Sequence, residues 1–255
     1  MPHSDAPPAV LGGALPRRWL LPFRLLYTLY AATVFMALAL GSLPLLVILP
    51  ALGTRRRLTR WIGRSALTLM GMPVKVHFRG PLPEPCIVVA NHSSYLDGVV
   101  LTAALPPRFG FVIKREMSAV PLAGLLLTRI GSHFVSRDNR AGRARDALRL
   151  MRSAARGSSL AFFPEGTFGP EPGLLRFHTG AFAAAQRAGM PVVPLVIRGT
   201  RRCLPPETFL AQPGRIEVQM LEPMQPAPHP GPPDGAAALR DAARAAILAA
   251  LGNES

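Results

Sequence analysis

No charged residue occurs between Arg24 and Arg55, and this uncharged run constrains the fold more than any other feature of the sequence. The part from Leu25 to Leu43 alone reaches the roughly 20 residues that a helix needs to cross a bilayer. Arg17, Arg18 and Arg24 precede the run, and Arg55, Arg56, Arg57, Arg60 and Arg64 follow it. Positive charge at both ends is the mark of a cytoplasmic flank. Two arrangements satisfy these flanks. One is a single transmembrane span. The other is a hairpin that enters and leaves through the same leaflet, with Gly41, Ser42 and Pro44 breaking the helix midway. A cleaved signal peptide, with Ala37 and Ala39 imitating a processing site, fits less well because the apolar run continues to Leu52.

The 255-residue chain is 49% hydrophobic and carries 29 Lys and Arg against 14 Asp and Glu, a formal charge of +15. A greasy and basic chain whose arginines flank an apolar run points to anionic lipid headgroups as partner, and not to nucleic acid. Trp19 and Trp61 bracket the run, as residues of a membrane interface do. Cys86 and Cys203 lie far apart and form no C-x-x-C pair, which suits a reducing, cytoplasmic setting. The six histidines show no metal-ligand spacing and there is no phosphate-binding glycine loop, so no metal or resident cofactor is expected.

Beyond Arg64 short apolar runs alternate with Gly and Pro signals and helical stretches, the punctuation of an α/β domain. Strands are expected at Val74–Phe78, Ile87–Ala90, Phe109–Ile113, Ser132–Val135, Leu160–Phe163, Val192–Ile197 and Ile216–Met220, giving a mixed sheet of about seven strands flanked by helices. Helices are expected at Ala141–Arg156, ended by Gly157, and at Ala181–Ala188, ended by Gly189. The expected organisation is a basic tail (1–24), a membrane-attaching helical segment with a basic linker (25–71), a catalytic domain (72–222), and a Pro-rich linker with a C-terminal helix (223–255).

Asn91-His92-Ser93-Ser94-Tyr95-Leu96-Asp97 follows the apolar run that ends at Ala90. A strand end leading into a loop and helix is where α/β enzymes present reacting groups. His92 and Asp97 are five apart, so they meet only if His92 sits in the loop before the helix, with Ser93 or Ser94 as its N-cap. An imidazole can take the proton of an attacking hydroxyl, and a carboxylate on its other nitrogen fixes the tautomer. No G-x-S-x-G elbow is present, which disfavours an enzyme-borne serine nucleophile. Ser94 with Asp97 also matches a capping box, so the motif alone is compatible with a structural histidine.

Two further blocks follow strands: Gly131-Ser132-His133-Phe134-Val135-Ser136-Arg137 and Phe163-Pro164-Glu165-Gly166-Thr167. Together with Asn91-His92-x4-Asp97, and with Val193-Pro194-Leu195 as a fourth block, the chain from about Met72 to Gly199 resembles the glycerolipid acyltransferase family typified by 1-acylglycerol-3-phosphate O-acyltransferase. The resemblance implies His92 and Asp97 as catalytic dyad. It also implies substrate contacts from Asn91, Lys114, Arg137, Glu165, Gly166 and Thr167. Family members acting on lysophosphatidic acid commonly continue F-P-E-G-T with Arg and Ser, whereas this chain has Phe168-Gly169. Arg176 or Arg201 would have to supply the missing cation.

The expected reaction is transfer of a fatty acyl group from acyl-CoA or acyl carrier protein, as cosubstrate, to the hydroxyl of a lysolipid. The acceptor is expected to be 1-acylglycerol-3-phosphate, the product phosphatidic acid, and the location the cytoplasmic face of the cytoplasmic membrane. The Phe168 departure keeps open a non-phosphate acceptor of the lyso-ornithine-lipid type. A membrane thioester or ester hydrolase and a non-enzymatic lipid-binding protein are the other readings.

Overall fold

The computed structural model describes residues 21–136, 140–171, 173–227 and 234–252. Strands β1 (Val74–His77), β2 (Ile87–Ala90), β3 (Gly110–Lys114), β4 (His133–Val135), β5 (Leu160–Phe162), β6 (Val192–Arg198) and β7 (Ile216–Met220) lie on the seven expected runs. They form one sheet in the order β1-β7-β6-β2-β5-β3-β4. Every neighbouring pair is parallel except β6–β7, which is antiparallel. The helices are α1 (Leu21–Ile48), α2 (Leu52–Leu69), α3 (Asp97–Ala104), α4 (Ala123–Arg129), α5 (Arg140–Ala155), α6 (Gly180–Ala188), α7 (Thr200–Cys203) and α8 (Gly235–Gly252).

The alternation of strand side chains builds a core on each face of the sheet. Val88, Ala90, Val193, Leu195, Ile197, Ile216 and Val218 pack with Leu67 of α2 and Val100 and Leu101 of α3. Ile87, Val89, Leu160, Val192 and Val196 pack with Leu150 of α5, Phe182 of α6 and Ile247 of α8. All four residues of β2 are buried, which explains why this strand reads as an unbroken apolar run. Pro194 is tolerated inside β6 because Val192 bridges Met224 and the ladder with β7 resumes at Leu195–Met220. Its missing N–H falls in the gap between them.

The uncharged run differs from expectation in where it turns. Helix α1 is continuous for 28 residues through Gly41, Ser42 and Pro44, and the chain reverses only after Ile48, where Pro50 follows Leu49. The stretch expected as a basic linker is the amphipathic helix α2, which buries Gly63, Ala66 and Leu67. Its Arg56 is not a lipid-facing charge: Nε donates to the Ile130 carbonyl (2.9 Å) and Nη1 to the Arg108 carbonyl (3.0 Å).

Helix α1 is long and apolar enough to cross a membrane, and only 17% of its most apolar window is buried, so it is not a core helix. Yet it is tied to the domain at both ends. Near its start Arg24 donates to the Leu210 carbonyl (3.2 Å), Tyr27 to the Met70 carbonyl and Tyr30 to the Leu69 carbonyl (2.8 Å), while Thr28 Oγ1 accepts from the Ala211 N–H (2.9 Å). At its end Arg129 Nε donates to the Leu46 carbonyl (2.9 Å), satisfying one of the carbonyls that a helix C-terminus leaves open. Trp19 and the tail of residues 1–20 lie outside the described residues; Trp61 is exposed on α2.

Asn91 joins the two central strands beyond their ladder. Its Nδ2 donates to the Ile197 carbonyl (2.9 Å) and its Oδ1 accepts from the Ile197 N–H (2.7 Å). Asn91→Ala should leave both backbone groups of Ile197 buried and unpaired, at a cost of about 2 kcal/mol or more. Urea denaturation checks this, and a change well under about 1 kcal/mol would contradict the bracing role.

Candidate active site

The C-terminal ends of the parallel strands β2, β5 and β6 lie on one edge of the sheet, and the site is built there. The chain leaves β2 at Ala90, spends Asn91 on Ile197, and turns through His92-Ser93-Ser94 before α3 starts at Asp97. Asp97 is fully buried, and its Oδ2 gathers three donors: His92 Nδ1 (2.8 Å), Ser93 N–H (2.6 Å) and Ser94 N–H (2.8 Å). A carboxylate only accepts, so it holds the proton on Nδ1 and leaves the lone pair of the neutral ring on Nε2. His92 therefore sits in the loop, as the spacing required.

Ser93 and Ser94 do not cap α3. Leu96 occupies the cap position without a side-chain bond. The Ser94 hydroxyl is drawn instead to the Leu204 carbonyl (2.9 Å) and Ser93 Oγ lies 3.3 Å from Thr200 Oγ1, so both serines secure the loop to α7.

Glu165 holds the loop from the other side. Its Oε1 accepts the His92 N–H (2.6 Å) and its Oε2 the Leu175 N–H (2.7 Å), with 3% of the residue exposed. Burial lifts this carboxyl above its ordinary range, against the opposing pull of the two backbone donors. Gly166 has φ +79°, a conformation open to glycine at little cost, and it turns the chain so that Glu165 points inward. The rings of Phe163 and Phe168 enclose the imidazole. Phe163 stacks on it with centroids 4.2 Å apart, and Phe168 meets it edge-on at 4.5 Å.

The residues expected to touch substrate thus separate. Asn91 and Glu165 each direct both polar atoms of the side chain to the protein backbone, so both brace the site. Thr167 is exposed beside Gly166. Lys114 ends β3 at the same edge, two strand spacings or ~10 Å from β2, half exposed and 3.3 Å from Glu116. Arg137 lies outside the described residues. Arg176 is exposed and lies near enough to α8 to help Arg240 hold the Asp241 carboxyl low. Arg201 donates to the Gly169 carbonyl (3.1 Å), to the Pro170 carbonyl and to Glu207.

The sequence does not show that Phe163 and Phe168 flank the imidazole; there Phe163 is part of a motif and Phe168 a departure from it. Asp146 also carries no sequence signal: it is 3% exposed, binds Arg115 through both oxygens (3.0 and 2.9 Å) and accepts the Ser136 N–H (2.8 Å). Burial raises its carboxyl most strongly, but the Ser136 N–H, Arg115 and Arg149 together bring it below the ordinary range. It fixes the strand end that leads into Arg137.

Glu165→Gln turns one acceptor oxygen into an NH2 facing a backbone N–H. Loosening of the His92 loop should lower turnover by about 10²-fold, the effect of misplacing a catalytic group by about 1 Å. The raised carboxyl pKa also gives a pH signature. Its contribution to stability is fullest in the protonated form and declines as pH rises from the ordinary glutamate value through the raised one. The melting temperature of the parent relative to Glu165→Gln should therefore climb as pH falls across that window; a gap independent of pH contradicts the assignment.

Residues 73–198 match the sequence profile of a family described as Acyltransferase. A lyso-ornithine lipid O-acyltransferase of Pseudomonas aeruginosa is 34% identical over 187 residues, 67% of this chain and 70% of that protein. A 1-acyl-sn-glycerol-3-phosphate acyltransferase of Saccharomyces cerevisiae is 32% identical over 213 residues, 79% of this chain and 70% of that one. The crystal structure of PlsC, the 1-acyl-sn-glycerophosphate acyltransferase of Thermotoga maritima, superposes with a TM-score of 0.72 over 93% of this chain and 97% of that one at 21% identity, a likeness of fold. With a mixed seven-stranded sheet of that fold, and relatives at this level of identity along most of their length, the chain is a member of the acyltransferase family.

Proposed function

We propose that the chain O-acylates a lysolipid by direct transfer from a thioester donor, and the observation that carries this is the His92 Nδ1–Asp97 Oδ2 bond of 2.8 Å. Nε2 takes the proton of the acceptor hydroxyl as its oxygen attacks the thioester carbonyl. The new C–O bond forms, the C–S bond breaks, and the proton on the imidazolium leaves with the thiolate. Asp97 stabilises the imidazolium throughout. The donor is acyl-CoA or acyl carrier protein, and the transfer uses no resident cofactor. The N–H groups of His92, Ser93 and Ser94 are already taken by Glu165 and Asp97, so the oxyanion must be stabilised from elsewhere.

The acceptor is 1-acylglycerol-3-phosphate, in keeping with relatives named for that substrate in yeast and in Haemophilus influenzae. One observation favours a second reading, a lyso-ornithine lipid: an apolar ring, Phe168, stands against the catalytic imidazole, and the nearby cation Arg201 is committed to Gly169, Pro170 and Glu207.

The enzyme works at the cytoplasmic face of the cytoplasmic membrane, attached as a hairpin within one leaflet. This is supported by the exposed apolar face of α1, with Phe23, Leu26, Leu29 and Ile48 at 65–76% exposure, and by the ties that hold both ends of that helix against the domain. A helix so tied lies along the domain and brings its outer face to the bilayer.

Incubation with labelled acyl donor and each lysolipid should give an acceptor-dependent lipid product; free fatty acid alone would indicate hydrolysis instead. His92→Ala should lower the rate by about 10²-fold or more, and a folded variant with parental turnover would falsify the assignment of the base. In flotation with anionic vesicles, the double variant Phe23→Ser/Leu26→Ser should shift towards the soluble fraction; full flotation would show that other surfaces carry the attachment.

A further inference from the structure

The edge contact between Phe168 and His92 is the first rung of a longer array. Tyr95 meets Phe168 edge-on with centroids 4.8 Å apart, and Phe209 stacks on Tyr95 at 5.3 Å and 27°. Tyr95 and Phe209 are 55% and 57% exposed, so neither ring is there to fill the core. Phe209 also holds φ +52°, a conformation that a bulky side chain rarely adopts, and an exposed aromatic kept in such a conformation is serving something other than stability.

Two sets of bonds fix the array. Arg201 bridges its halves, with donors on the Gly169 and Pro170 carbonyls just after Phe168 and on Glu207 just before Phe209. The residues after Phe209 are bound to α1: the Leu210 carbonyl accepts from Arg24 (3.2 Å) and the Ala211 N–H donates to Thr28 Oγ1 (2.9 Å). The rings therefore run from the imidazole to Phe209, and the two residues that follow Phe209 are bound to the apolar helix.

We propose that Phe168, Tyr95 and Phe209 form the track on which the hydrocarbon chain of the lysolipid acceptor lies as its hydroxyl reaches His92. The inference rests on the lysolipid reading above and specifies how that substrate is held. A single-chain lipid resides in the leaflet with its chain beside α1, and leaving the bilayer exposes that chain to water unless apolar surface receives it. Aromatic faces offer such surface at little conformational cost. The thioester donor arrives on a water-borne carrier and has no need to pass α1.

The test compares acceptors of one headgroup and two chain lengths, using the full chain in mixed micelles. Phe209→Asn keeps a residue that tolerates positive φ while removing the ring, and Tyr95→Ala removes the central rung. In each variant KM for the long-chain lysolipid should rise about tenfold more than KM for the short-chain one, the scale of one lost apolar contact along the chain. The chain length of the donor, varied at a fixed acceptor, should not alter the effect. An unchanged ratio between the acceptors overturns the track, as does an effect that follows donor length. A parent protein that acylates neither lysolipid overturns the reading of function itself, so the two failures are distinguishable.

Discussion

Two buried carboxylates, Asp97 and Glu165, take up the three successive N–H groups of the loop His92-Ser93-Ser94, and the site depends on this exchange. A loop turning from a buried strand into a buried helix start cannot leave those donors unpaired. Two acids can stand in the interior because backbone donors and the imidazole compensate them. Each partner makes the other admissible, and the imidazole is oriented as a by-product. One acid stands three to five residues along the chain at the start of α3 and the other on the loop after β5, so the orientation of the imidazole combines a local turn with the packing of neighbouring strands.

The same logic explains how polar groups are spent around the site. Asn91 serves Ile197, Ser94 serves Leu204, and Arg201 serves two carbonyls and a glutamate. These three side chains, which look like a binding surface in the sequence, hold backbone. Around the imidazole stand the rings of Phe163 and Phe168, and together with the backbone bonds they hold it in one orientation.

Much of this was legible in the sequence. The seven strands could be placed because β2 and β6 are short apolar runs at lengths that only strands satisfy, and Gly157 and Gly189 end their helices at positive φ as their positions suggested. The loop position of His92 followed from a five-residue spacing that no helix face accommodates. Other parts could not be read. Sequence spacing gives no hint that the amide of Asn91 is consumed 106 residues away at Ile197, or that Glu165 reaches back 73 residues to the His92 N–H. A helix interrupted at Gly41–Pro44 was a fair local expectation; tertiary contacts at both ends keep α1 whole.

Those contacts on α1 have a further consequence. Because the helix is fastened near its start to the segment that follows Phe209 and at its end to Arg129 of α4, the separation between its apolar face and the imidazole is a constant of the fold. With the membrane attachment and the base proposed above, such an enzyme has a fixed working height, and its acceptor is gauged by its own molecular length: only a lipid whose hydroxyl stands the right distance from its chain brings that oxygen level with Nε2.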